Sequence, residues 1–186
     1  MNYNECKKVL DYLDKNELEK LREYINKSEK NFYKQQVREG LKTYFAKKYN
    51  RALKFYEVVD SNLLICDSSS VFLLNDSSFK ITSFSNLLSG DVLNEKVNYV
   101  LTLIDDMFNI PSLDIKKINK EVNDLGQGFI EVYSEDSIIR SFATQEYGYI
   151  DKFLGPDVVT KVLKNNKPVC IAESSKGKGL VLGLKK

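Results

Sequence analysis

The chain has 186 residues, 42% hydrophobic and 29% charged, which is the composition of a globular protein with one sizeable core, or a small helical unit plus one domain. Histidine is absent, which excludes Ser-His-Asp and Cys-His catalysis and the usual zinc and iron ligand sets; any chemistry would rest on carboxylates, lysines or a bound metal. No apolar run approaches the roughly 18–20 residues that cross a bilayer, and the opening MNYNECKKVL lacks a signal peptide's apolar stretch, so a cytoplasmic protein without a membrane partner is expected. The cysteines, Cys6, Cys66 and Cys170, are odd in number and far apart, which argues against a disulfide framework or a zinc knuckle. Cys66 and Cys170 lie in apolar runs, as small buried hydrophobes do.

Taken in order, residues 4–27 read as two short helices. Asn2 with Glu5 and Asp14 with Glu17 have capping-box spacing. Val9, Leu10 and Leu13 mark one apolar face, and Leu18, Leu21, Tyr24 and Ile25 the next. After Ser28 a third helix is expected over residues 29–49.

Residues 27–54, KSEKNFYKQQVREGLKTYFAKKYNRALK, hold nine basic residues and two acids, Glu29 and Glu39, a local charge of +7 in a chain whose total is +2. Lys27, Lys30, Lys34, Arg38 and Lys42 recur every three or four residues and form one row along a helix. Tyr33, Val37, Leu41 and Tyr44 form a neighbouring apolar row. Uncompensated cations in a row repel one another unless an anion answers them. The candidate nucleic-acid-binding set is therefore Lys27, Lys30, Lys34, Arg38, Lys42, Lys47, Lys48 and Arg51. A solvated helix face is the plain alternative.

From residue 51 the period changes. Strands are expected over residues 53–59, 63–66, 71–74 and 79–84, with turns at 60–62, 67–70 and 75–78, as an antiparallel meander. Leu73 is expected in the core. Residues 94–108 return to helical spacing and stop before Pro111. Residues 113–122 read as a short helix, and 129–142 as a hairpin around 134–137. A helix after Gly155-Pro156-Asp157, ending at Asn165-Asn166, is expected with Pro156 in its first turn. The last strands are 169–173 and 180–184. Charge is segregated: residues 55–165 sum to −8 and residues 166–186 to +4.

The order of elements, with LLICDSSSVFLL at residues 63–74 and KPVCIAE at 167–173 followed by GLVLGLK at 179–185, resembles a DNA sliding-clamp domain. The first segment is similar to a clamp strand–turn–strand with its Asp at the turn. The second pair resembles the closing strands of bacterial clamps and of small clamp-like phage proteins. Gly183 stands where those strands usually carry proline. The resemblance covers the last two-thirds of the chain, which is too short for a three-domain clamp subunit, so ring closure does not carry over. It implies a non-enzymatic phage or mobile-element protein working beside DNA machinery, of the kind that inhibits host defence nucleases, including CRISPR effectors.

Other chemistry fits the residues less well. Pro156-Asp157 with Glu173-Ser174-Ser175-Lys176 is faintly similar to the PD-(D/E)xK nucleases. Here, however, acid and lysine are three apart, which splits them across the faces of a strand. Asp105 and Asp106 are adjacent on a helix and diverge by about 100°. Lys176-Gly177-Lys178-Gly179 lacks the phosphate-loop pattern. Phe32, Tyr33, Tyr44, Phe45 and Tyr49 are candidates for base stacking or, more simply, for core packing.

These readings converge on an α+β protein: an N-terminal helical unit at residues 1–50 and an antiparallel-sheet, clamp-like domain at 51–186. A binding protein without cofactor, metal or catalytic residues is expected, engaging DNA or a host nucleoprotein complex. The alternative is an acidic interaction module that mimics nucleic acid through residues 55–165. A metal-dependent nuclease is the remote third class. The pattern sets no oligomeric state.

Overall fold

The computed structural model describes residues 14–46, 55–76, 90–122, 127–134, 139–165 and 167–184. The chain divides into two compact units, Met1–Val37 and Arg38–Lys186. The described part of the first unit is helical. It begins at a reciprocal capping box: the Glu17 N–H donates to Asp14 Oδ1 at 2.8 Å, and the Asp14 N–H donates to Glu17 Oε2 at 3.0 Å. Helix α1 then runs Lys15–Ala46, 32 residues without a break. The break expected at Ser28 is absent. Residues 15–39 contain neither proline nor glycine, and a serine in a helix interior disfavours it by only a few tenths of a kcal/mol. The proposed Asn2–Glu5 cap and first short helix lie outside the described residues, as do Lys47, Lys48, Tyr49 and Arg51.

The second unit contains the last turns of α1 and a nine-stranded antiparallel sheet. Among the described residues its strands are β1 (Phe55–Val59), β2 (Asn62–Cys66), β3 (Ser70–Leu74), β4 (Ser112–Val122), β5 (Gly128–Ser134), β6 (Ile139–Ala143), β7 (Val159–Leu163), β8 (Val169–Ser174) and β9 (Gly177–Leu182). Helix α2 (Gly90–Phe108) follows β3, and α3 (Thr144–Leu154) follows β6. The order across the sheet is β1-β2-β3-β9-β8-β7-β4-β5-β6. The protein is α+β, helix first and sheet after.

The expected meander forms. Val59 pairs with Asn62 across a two-residue loop in which Asp60 and Ser61 both have positive φ, 47° and 66°, as a tight hairpin requires. The apolar runs LLIC and VFLL show no polar alternation because both sheet faces are covered. Leu64, Cys66, Val71, Ile171 and Leu180 pack with Leu93, Val97, Val100 and Ile104 of α2. On the opposite face Phe72 meets Tyr44 of α1 and Phe153 of α3 edge-on, at 6.3 and 4.9 Å between ring centres. Leu73 is only half-buried and packs against the margin of the core beneath α2, whereas its neighbours Phe72 and Leu74 are fully buried.

Two helices expected from the sequence are strands. Residues 113–122 belong to β4, which pairs with β7 at Ser112–Asp114 and with β5 further on. Ile115 and Ile118 are three apart, a helical spacing, yet a bulge at Lys116 puts both on one face: Ile115 pairs with Ser134, and Ile118 with Val132. The second error lies around Gly155. The helix precedes this glycine rather than following it. Gly155, at φ +82°, closes α3 by donating its N–H to the Asp151 carbonyl at 3.0 Å, and Pro156 lies just beyond. Residues 159–163 are β7. The strand expected at 79–84 lies outside the described residues.

Candidate nucleic-acid interface

Because α1 is continuous, its side chains can be placed on one wheel. Lys27, Lys30, Lys34, Arg38 and Lys42 fall within an arc of about 120°. Glu29 and Glu39, the acids of the same segment, lie about 160° and 120° round from the centre of that arc. From Lys27 to Lys42 the row extends roughly 22 Å along the axis. Lys27, Lys30, Arg38 and Lys42 are exposed and Lys34 is half-buried. Among the described residues, Lys27, Lys30, Arg38 and Lys42 enter no ion pair, unlike Lys161, which meets Asp114 at 3.3 Å, and Lys178, which meets Glu173 at 3.6 Å. Val37, Leu41 and Tyr44, the neighbouring row, are buried. Lys20, also exposed, belongs to the same edge, seven residues before Lys27 and fourteen before Lys34. The 20–27–34 spacing is its signal, and the helix boundary expected at Ser28 separates Lys20 from the row.

The end of α1 is held by Tyr44. Its ring packs against Phe45, Tyr149 and Phe153 at 5.4, 5.0 and 5.6 Å between centres, each edge-on. Its hydroxyl donates to the Ser70 carbonyl at 2.8 Å. Ser70 Oγ lies 3.2 Å from Tyr44 Oη, from Asp67 Oδ1 and from Glu146 Oε2, and its single proton serves one of them at a time. Asp67 is 5% exposed, and its Oδ1 accepts from the Ser69 N–H at 2.8 Å, the Ser70 N–H at 2.9 Å and the Ser69 hydroxyl at 2.9 Å. Burial, with the Asp67 charge second, raises the Tyr44 phenol well above its ordinary value. The Cys66 thiol is pushed up to about 12, again by burial first and Asp67 second. The aspartate of the 67–70 turn thus holds the turn and, through Ser70, the helix end.

The aromatic candidates divide. Tyr44 is fully buried, Tyr33 and Phe45 are half-buried, and Phe32 is 64% exposed. The acids considered for metal chemistry are otherwise engaged or apart. Asp157 accepts from the Ser175 hydroxyl at 3.2 Å in a turn, and Glu173 pairs with Lys178. Asp105 and Asp106 are both exposed on α2. Among the described residues, no three His, Cys, Asp or Glu side chains gather as a metal site. Ser175-Lys176 is the turn between β8 and β9, and the Lys176 carbonyl accepts from the Asn75 N–H at 2.8 Å. A pocket of about 180 Å³ beside Phe108, Lys161 and Glu173 is smaller than the roughly 300–1,000 Å³ usual for small-molecule sites. Among the described residues, no helix is long and apolar enough to cross a membrane.

No family model, curated protein or solved structure matches this chain.

Proposed function

We propose that this is a non-enzymatic, cytoplasmic binding protein that holds nucleic acid, alone or in a nucleoprotein complex, through the phosphates that the basic edge of α1 would engage. The supporting observation is the row itself: Lys27, Lys30, Arg38 and Lys42 exposed on one helix edge, without ion pairs among the described residues, with Glu29 and Glu39 turned away. Phosphate binding of this kind positions a protein without reading sequence. A phage or mobile-element inhibitor of a defence nuclease, as the clamp resemblance implies, would use the same edge against the nucleic acid that such a nuclease carries.

The test replaces Lys27, Arg38 and Lys42 together by Ala. Folding should be unchanged, because exposed charges contribute little and alanine favours helix. The log–log salt slope of duplex binding should fall by roughly 0.9 for each phosphate no longer neutralised, about 2.7 for all three. Binding unaffected by the triple change, or by raising salt from about 50 to 200 mM, overturns the reading.

One observation favours a second reading. The outer side of α2 exposes Glu95 and Asp106 on the same edge as Tyr99, which is 60% exposed, and Asp105 about 120° round from it. An acidic surface that carries an exposed aromatic ring would suit a basic protein partner. Charge reversal of those three acids would then abolish binding, while the lysine changes would not.

A further inference from the structure

Helix α1 carries a second apolar stripe. Leu18, Leu21, Ile25 and Phe32 are spaced three, four and seven residues apart, with Ser28 completing the heptad seam. Leu18 and Leu21 are half-buried, whereas Ile25 is 45% and Phe32 64% exposed, and Tyr24 beside them is 69% exposed. The stripe lies about 150° round the wheel from the basic row and about 140° from the buried face of Val37, Leu41 and Tyr44. Covering it would leave the basic row free. Large apolar side chains aligned along one exposed helix edge mark an interaction surface rather than scattered exposure.

The flanking charges indicate what fits. Arg22 and Glu29 follow Leu18 and Ile25 by four residues each and occupy the same flank of the seam. An antiparallel second copy, centred between Ile25 and Ser28, brings Arg22 of each copy beside Glu29 of the other, twice by symmetry. The same register sets Leu21 against Phe32 of the partner and opposes the helix dipoles. We infer that a second copy of this chain packs antiparallel on the Leu18–Leu21–Ile25–Phe32 stripe, making a two-fold dimer through α1. The seam is roughly 21 Å long, shorter than a standard interface of about 800 Å² per partner needs, so the dimer is weak and concentration-dependent.

Analytical ultracentrifugation of the full chain across roughly 1–500 µM is the test, a range that brackets weak association. The wild-type weight-average mass should climb from one chain towards two. Ile25→Asp with Phe32→Asp should keep the mass at one chain while circular dichroism remains native, because both positions are solvent-facing. Arg22→Glu or Glu29→Arg alone should weaken association at least several-fold, and the two together should restore it. A chain monomeric at every concentration overturns the inference, as does a dimer that survives the double aspartate change. A dimer that the paired charge swap fails to restore overturns the antiparallel register; in a parallel pair Arg22 would face Glu17 instead.

Discussion

Tyr44 is where removing one side chain should do most to release α1 from the sheet. Tyr44→Phe deletes only the hydroxyl. The Ser70 carbonyl it leaves still accepts the Asp67 N–H at 3.0 Å, and Ser70 Oγ keeps Asp67 and Glu146. With both Ser70 groups still satisfied, the loss should be about 0.5–1.5 kcal/mol. Tyr44→Ala also removes a fully buried ring that meets Phe45, Phe72, Tyr149 and Phe153 at 5.4, 6.3, 5.0 and 5.6 Å. Truncating a buried aromatic costs about 3–5 kcal/mol through lost burial and the cavity left behind. Urea unfolding followed by circular dichroism at 222 nm measures both, and the midpoint should move at constant m. The corresponding melting-point drop is roughly 2–4 °C per kcal/mol for a domain of this size. If Tyr44→Ala costs under about 1 kcal/mol, or the two variants are equal, the helix end is not held by this ring and the reasoning fails.

Leu74→Ala should cost about 2–5 kcal/mol and Leu73→Ala clearly less, measured the same way, since Leu74 is fully buried and Leu73 only half. Gly177→Ala should destabilise by about 1–3 kcal/mol or more, because Gly177 sits at φ +148° and a Cβ there would run into the Leu73 carbonyl and Leu74 backbone; an unchanged urea midpoint would refute it. Stability should decline above about pH 9. Burial holds Cys66, Cys170 and Tyr147 at about 12 in the folded chain, so the unfolded chain loses these protons first and gains stability relative to the native state as pH rises. Urea midpoints at pH 8.5 and 10.5 test this, and a flat profile would count against it.

What the sequence alone determined here was local. The Asp14–Glu17 cap, the short apolar runs of β1, β2 and β3 bounded by turn residues, the β8–β9 pair and the apolar face of α2 follow from interactions between residues a few positions apart, which are the same in any tertiary setting. The basic row belongs to this class: its placement on one helix edge needed only the 3.6-residue turn. Sequence spacing erred where two structures share one pattern. Ile115 and Ile118 suit a helix or a bulged strand, and pairing with β5 chose the strand. Gly155-Pro156 suits either end of a helix, and Gly155 at positive φ, bonded back to Asp151, made it the C-terminal end. Tertiary structure also decided the sheet order, which inserts the C-terminal β9-β8 pair between β3 and β7, because strands far apart in sequence pair only once the chain has closed around a shared core. Burial of Tyr44 and half-exposure of Leu73 were decided the same way. Residue type states what a side chain tolerates, and only its neighbours across the sheet set how much water it loses.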